Sequence, residues 1–357
     1  MTATTDPDPT VSVVCATYNG AAWVQATIDS VIAQTFEDWE MIIVDDCSSD
    51  DTRALLAAQT DPRIRVIFAE ENRGPVHSRN RAMAAACGRF IAGLDQDDLC
   101  EPDRLARQVA YLDEHPDTVL VTAAADLLEA DRIRPHRTRR RTTPDLIDWM
   151  MQTRNELVWS TTLFRTDAAR RLDPITRPDR LYAEDYDFYF RIRRFGRIAR
   201  IDTPLLLYRV HPGGASQRFT DTVERSAALV LAEAHRRTFG DRTDAAVTLL
   251  IDHVLGKRPV PDAKTLNALF AVIIALRDAH FGRARPGMRA RIAINHDIAA
   301  MWRDCCRAAQ RSGAIPAATR IAPPVALDRS RFDVGDMANW AIGHVRRARR
   351  KLLHRMV

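Results

Sequence analysis

The sequence predicts an α/β fold built on a mixed, mostly parallel sheet flanked by helices, with a helical C-terminal extension. Three observations carry that reading. Apolar runs of strand length alternate with segments of helical period, as in successive β-α units. Each early run ends in polar residues suited to binding. Beyond residue 217 only helical periodicity continues, so the chain is expected to comprise a catalytic-type domain at 1–217 and a helical region at 218–357.

Val11–Ala16 reads as a buried strand, and Thr17-Tyr18-Asn19-Gly20 supplies a turn into a helix whose Val24, Ile28, Val31 and Ile32 recur at helical spacing. Met41–Val44 is the second strand. It runs into Asp45–Thr52, whose Ser and Asp residues suit the N-cap of a helix over 52–58. Arg63–Phe68 is the third, and Asn72-Arg73-Gly74-Pro75 then turns into a helix carrying Arg79, Asn80 and Met83. A fourth run from Arg89 ends at Asp95, Asp97 and Asp98. Further on, Val158–Arg165 reads as a strand, Glu184 onward as a helix, and Ile198–Ile201 and Leu205–Val210 as closing strands that lead into His211–Ser216. Open parallel sheets bind ligands beyond the carboxyl ends of their strands, where these polar residues fall.

Two constellations carry chemistry. Asp95, Asp97 and Asp98 set three like charges within four residues, which costs stability unless water or a cation compensates. A hard divalent ion takes one or two carboxylates plus diphosphate oxygens, so the cluster suits Mg²⁺ or Mn²⁺; a solvated acidic turn capping a helix near Pro102 accounts for the same residues. Glu184-Asp185 begins a helix, where the helix dipole favours carboxylates. There an acid could serve as general base, or simply stabilise the helix. Trp159 suits stacking on a sugar or a place in the core. The basic run Arg132–Arg141 could hold phosphate or form a solvated loop.

Taken in order, Val13-Val14 through Tyr18-Asn19-Gly20, Ile43–Asp50, Asn72-Arg73-Gly74 and Leu94–Asp98 with Pro102 resemble the signature of family 2 glycosyltransferases with the Rossmann-like GT-A fold. The resemblance covers roughly the first 215 residues. It implies inverting, metal-dependent transfer of a sugar from a nucleotide donor, expected to be a UDP-sugar, to a hydroxyl of a glycan or lipid-linked acceptor in cell-envelope polysaccharide synthesis. By resemblance, Thr17 and Tyr18 flank a pyrimidine, Asp46 accepts from its imide, Arg73 approaches base or phosphate, and Asp95 reaches the ribose. Asp97 falls at the metal position, with Asp98 behind it and His211 as a metal or phosphate ligand. Arg209 and Ser216 face the diphosphate and Trp159 the acceptor. Asp185 falls at the base, with Glu184 placing the acceptor. Cys47 departs from the pattern, standing where many relatives have Gly; a positive φ there would be strained, so a different turn is expected.

The chain of 357 residues, 46% hydrophobic, can bury a sizeable core, and its formal charge is a modest +5. Its six cysteines lack metal-type spacing and several lie in apolar runs, which points to a reducing cytoplasm. The polar Met1–Thr10 carries no secretory pattern, and the apolar run Leu266–Leu276 is too short to span a bilayer. A terminal helix from Ala338 to Val357, with Val345 and Leu352 on one face and Arg346, Arg347, Arg349 and Arg350 on the other, suits an anionic membrane surface or packing on the protein. The expected location is therefore cytoplasmic, peripheral to the inner face of the membrane. A nucleotidyltransferase would carry a Gly-rich basic loop that Val11–Gly20 lacks; a non-catalytic nucleotide-sugar-binding module is the other alternative. Dispersed arginines and 7% aromatic content argue against nucleic-acid binding.

Overall fold

The structure, a computed structural model, describes residues 8–130, 132–135, 142–214 and 218–314. The chain forms two compact units: Met1–Ile147 with Glu156–Ser226, and Asp148–Asn155 with Ala227–Val357.

In the first unit β1 (Val11–Thr17), β2 (Trp39–Asp45), β3 (Ile64–Phe68) and β4 (Phe90–Asp95) pair in parallel, in the order β3-β2-β1-β4. Helices α1 (Val24–Ile32), α2 (Thr52–Ala57) and α3 (Pro75–Ala85) make the crossovers. As an inner strand of the sheet, paired with β2 and β4, β1 is buried at Val11, Val13, Val14 and Cys15, and the buried Ser12 among them is satisfied by donating its hydroxyl to Glu40 at 2.6 Å. Val24, Ile28 and Val31 of α1 pack into the same core as Val13, Met41 and Ile43. Each such side chain contributes roughly 1.5–3 kcal/mol when fully buried.

Beyond β4 the sheet turns mixed. The elements that follow are β5 (Leu99–Cys100), α4 (Arg104–Glu114), β6 (Thr118–Glu129), β7 (Arg132–Arg134), α5 (Pro144–Met150), β8 (Leu163–Arg165), α6 (Thr166–Ala169), α7 (Glu184–Ile192) and β9 (Arg197–Val210). β8 is antiparallel to β4 and β6, β6 is parallel to β9, and β5 is antiparallel to β9. The anticipated mixed sheet is thus present.

Three local expectations are corrected. Residues 158–165 are not one strand: Trp159–Thr161 is a 3₁₀ turn and only Leu163–Arg165 is extended. The hydroxyls of Thr161 and Thr162 donate back to the carbonyls of Val158 and Trp159, each at 2.8 Å, so side chains replace ladder bonds. The two closing strands are one, β9, which absorbs Pro204 at an irregularity in its pairing with β6. The α2 terminus is held by Asp50, which accepts from the Thr52 amide at 3.0 Å, while Asp51 at the N-cap position makes no side-chain cap.

The second unit is helical: α8 (Thr220–Phe239), whose last two-thirds lie in it, α9 (Thr243–Leu250) continuing into a π turn at Ile251–Leu255, α10 (Ala263–Ala284) and α11 (Met288–Arg311). Its core includes Leu266, Leu269, Phe270 and Ile273 of α10 against Ile294, Ile298 and Trp302 of α11, with Phe270 and Trp302 edge to face at 4.4 Å. Segment 148–155 is anchored here, because Asp297 accepts from the Trp149 indole at 2.9 Å and pairs with Arg154 at 2.7 Å. By length and composition α10 is apolar enough to cross a membrane, which the shorter run Leu266–Leu276 did not suggest. All six cysteines are free; Cys15 and Cys100 are buried, and burial with adjacent charge pushes the Cys305 thiol up to about 12. The expected terminal helix, Ala338–Val357, lies outside the described residues.

Candidate active site

The carboxyl ends of β1, β2 and β4 meet at one edge of the first unit, and their loops are laced together. Asn19, at a φ of 48°, accepts from the Ser49 amide at 2.9 Å while its own amide donates to the Ser48 hydroxyl at 2.9 Å. The Gly20 amide donates to Thr52 at 2.8 Å. Gln96, next to the acidic cluster, reaches back to β1: its side-chain oxygen accepts from the Thr17 hydroxyl at 2.5 Å and the Tyr18 amide at 2.9 Å. The Tyr18 ring is thereby left standing 46% exposed.

A cleft of about 810 Å³ opens along this edge. Its walls include Thr17, Tyr18, Asp46, Arg73, Asp95, Asp97, Glu184, Arg209 and His211, so nine of the twelve residues singled out by sequence converge on one space. Asp185 is half-buried at the start of α7, beside Glu184 but not among the cleft walls. Trp159 is buried, and Ser216 lies outside the described residues.

Several of these residues have duties that the sequence did not reveal. Asp46 is 2% exposed and accepts from the Arg73 amide at 3.1 Å, the Gly74 amide at 2.8 Å and the Ser78 hydroxyl at 2.9 Å. A carboxylate has about four acceptor positions, so at most one remains for a base. Asp46 acts first as an anchor for the start of α3. There Gly74 sits at a φ of 89° and Pro75 occupies the first helical turn, where its missing N–H costs nothing. Trp159 is 4% exposed and lies against Gly93, where a Cβ would stand 2.6 Å from the indole. It therefore offers no face to a sugar; it supports Arg79, whose guanidinium sits 4.6 Å from the indole ring centre. The Cys47 turn does not differ from a glycine turn: Cys47 holds a φ of 63°, and its thiol lies 3.4 Å from the Glu70 carbonyl.

Arg79 is the residue that sequence reading passed over. Buried on α3, it pairs with Asp95 at 2.8 Å and with Glu184 through its other terminal nitrogen, joining β4 to the start of α7. Burial alone would discourage its charge, but Asp95, Glu184 and Asp185 outweigh that and raise its proton affinity. Its partners lie 16 and 105 residues away, so no local pattern marks it.

Facing this chain is a second one. His211 Nε2 lies 2.8 Å from Asp97 Oδ2; the Arg209 amide donates to Asp98 at 2.9 Å, and its Nε to the Asp97 carbonyl at 2.8 Å. The Arg209 guanidinium lies 4.5 Å from the centre of the Trp23 ring, which also packs beside His211. Burial and the neighbouring Asp95 push the Asp97 carboxyl up, with His211 pulling it back; burial, Asp97 and Asp95 push Asp98 well up. The cluster is thus short of positive charge. Among the described residues no group of three or more His, Cys, Asp and Glu side chains is arranged to hold a metal. Asp97 and His211 nevertheless fit a hard divalent ion that draws its remaining ligands from water and a diphosphate, as Mg²⁺-type sites commonly do.

Strand order, an acidic β4 end and a cleft at the carboxyl edge are those of an α/β protein of the GT-A type. Residues 12–173 match the model of glycosyl transferase family 2. Among relatives, the succinoglycan biosynthesis protein ExoO of Rhizobium meliloti is 38% identical over 162 residues, 45% of either chain. The Escherichia coli protein WfgD, named as a UDP-Glc:α-D-GlcNAc-diphosphoundecaprenol β-1,3-glucosyltransferase, is 38% identical over 105 residues, 29% of this chain and 42% of that protein. The chain spans less than half the length of these two relatives. Among solved structures, S. aureus TarS with UDP-GlcNAc aligns over 84% of this chain and 90% of its own at a TM-score of 0.52 and 21% identity. The Pyrobaculum calidifontis mannosyltransferase PcManGT with GDP-Man and Mn²⁺ aligns over 85% and 86% at a TM-score of 0.53 and 19% identity. Both establish the fold.

Proposed function

We propose that this protein transfers a sugar with inversion from a nucleotide-sugar, a UDP-sugar in the first instance, to a hydroxyl of a glycan or lipid-linked acceptor in envelope polysaccharide synthesis. The observation that carries the proposal is the pairing, in one cleft, of a phosphate-type corner with an acid-lined wall. Arg209, His211 and Asp97 form the corner; Asp95, Arg79 and Glu184 form the wall. Tyr18 offers an exposed ring for a base. Arg209 supplies positive charge toward the leaving diphosphate. Asp97 and His211 would hold Mn²⁺ or Mg²⁺, which supplies neutralisation of charge building on the diphosphate. PcManGT, solved with Mn²⁺, and WfgD, named for a UDP-Glc donor, support these assignments.

The acceptor oxygen attacks the anomeric carbon as the bond from that carbon to the diphosphate oxygen breaks; the acceptor proton passes to a carboxylate and the nucleoside diphosphate departs. Glu184 is committed to Arg79 and buried, which suits it to fixing the wall of the acceptor site. Asp185 is less enclosed, and this reading makes it the base. The protein would act in the cytoplasm at the inner membrane face, with the segment from Ala338 helping to hold it there.

The test measures donor affinity and transfer rate on the same preparations. Asp185→Asn should keep donor binding and lose about 10²–10⁴-fold in rate. Near-normal transfer by Asp185→Asn together with an inactive Glu184→Gln would move the base to Glu184, and activity in both would remove the inverting mechanism.

A further inference from the structure

The turn joining α10 to α11 carries a surface that the sugar-transfer reading does not use. Met288, first residue of α11, is 72% exposed and Ile292, one turn on, is 49% exposed, the first of these being the most exposed large hydrophobic side chain among the described residues. Positions four apart share a helix face, so the two side chains form one apolar ridge. Arg283, Arg285, Arg289 and Arg291 surround it and are all exposed. From residue 279 to residue 296 there is no Asp or Glu. Arg291 is turned back onto the loop, its Nε donating to the Pro286 carbonyl at 3.0 Å, which leaves Arg283, Arg285 and Arg289 as the outward charges.

α10 ends on Arg285 in the left-handed region, φ 46°, which carries the chain round the turn into α11.

We infer that this turn docks on an anionic lipid surface, the arginines at the headgroups and Met288 and Ile292 in the acyl boundary. Charge selects that occupant. A second copy would bring the same positive turn, and residues 315–357 of this chain carry nine Lys or Arg against three Asp, so either would be repelled. Nucleic acid offers the right charge but no medium for two aliphatic side chains, which do not stack on bases as aromatic rings do. A bilayer interface supplies both.

The experiment is co-sedimentation of the full chain with vesicles of phosphatidylcholine alone or with phosphatidylglycerol added as the anionic lipid. The parent should bind only the anionic vesicles, and binding should weaken with salt. Replacing Arg283, Arg285 and Arg289 together by Ala should lower the partition coefficient on the order of 100-fold at low salt, while the same three positions changed to Lys should retain it. A folding defect is distinguished by melting temperature, and a second variant needs no loss of charge: Met288→Trp should gain fluorescence quenching by brominated lipid over the parent. Equal binding by the Ala and parent chains, or no added quenching in Met288→Trp, overturns the inference. So does binding of the parent to RNA with no binding to anionic vesicles.

Discussion

Arg79→Met tests the framework of the cleft through stability alone. The guanidinium is 8% exposed and bridges Asp95 to Glu184, whose side chain is 6% exposed. Met keeps much of the volume and the packing over Trp159 but leaves Glu184 as a buried carboxylate without its cation. Breaking a buried pair by removing one partner costs about 3–5 kcal/mol. For a unit of 150–250 residues each kcal/mol moves the melting temperature by about 2–4 °C, so a fall on the order of 10 °C is expected. The assay is a thermal melt of the parent, Arg79→Met, Glu184→Gln and the double variant. Because the damage comes from the stranded carboxylate, Arg79→Met with Glu184→Gln should melt above Arg79→Met alone, by at least half of the loss. An Arg79→Met melt within 2 °C of the parent, or strictly additive effects, would show that the bridge is not what holds β4 to α7.

Two further outcomes are expected. Tyr18→Ala should weaken nucleotide binding by about 1–3 kcal/mol, the worth of one aromatic stack on a base, and Gln96→Leu should weaken it too by releasing the Thr17–Tyr18 turn; calorimetric titration showing unchanged affinity in both would remove the base from this corner. Asp98→Asn should stabilise the metal-free protein at neutral pH. The sign follows from the direction of the shift: burial, Asp97 and Asp95 raise the Asp98 carboxyl in the folded state, so its ionisation opposes folding as pH rises above the ordinary carboxylate range. The advantage of Asn should therefore be absent below about pH 4 and grow above it. Denaturant melts at pH 3.5 and 7 check this; equal advantage at both would place the effect outside ionisation.

The β-α alternation was legible because strands buried on both faces show as apolar runs, and the convergence of Thr17, Asp46, Asp95 and Asp97 followed from parallel strands sharing one carboxyl edge. What escaped the sequence were duties set by distant partners. Asp46 reads as a ligand in isolation, yet three donors from residues 73–78 occupy it. Trp159 reads equally as a stacking platform or a core residue, and only the fold, where Gly93 makes room for it in the core, decides between them. Gln96 sits between two aspartates that draw attention, and only the fold brings it to the Thr17 hydroxyl. Cys47 shows that a residue other than Gly can hold a left-handed position when the loops around it are laced by Ser48, Asn19 and Thr52.

The central claim is that Asp97, His211 and Arg209 form a corner for a nucleoside diphosphate. Calorimetric titration of UDP into the parent and Asp97→Ala, each with Mn²⁺ and with chelator, tests it most directly. The account predicts tight binding only for the parent with Mn²⁺, and weak binding in the other three conditions. Equal affinity in all four, or UDP binding no better than uridine, would contradict it.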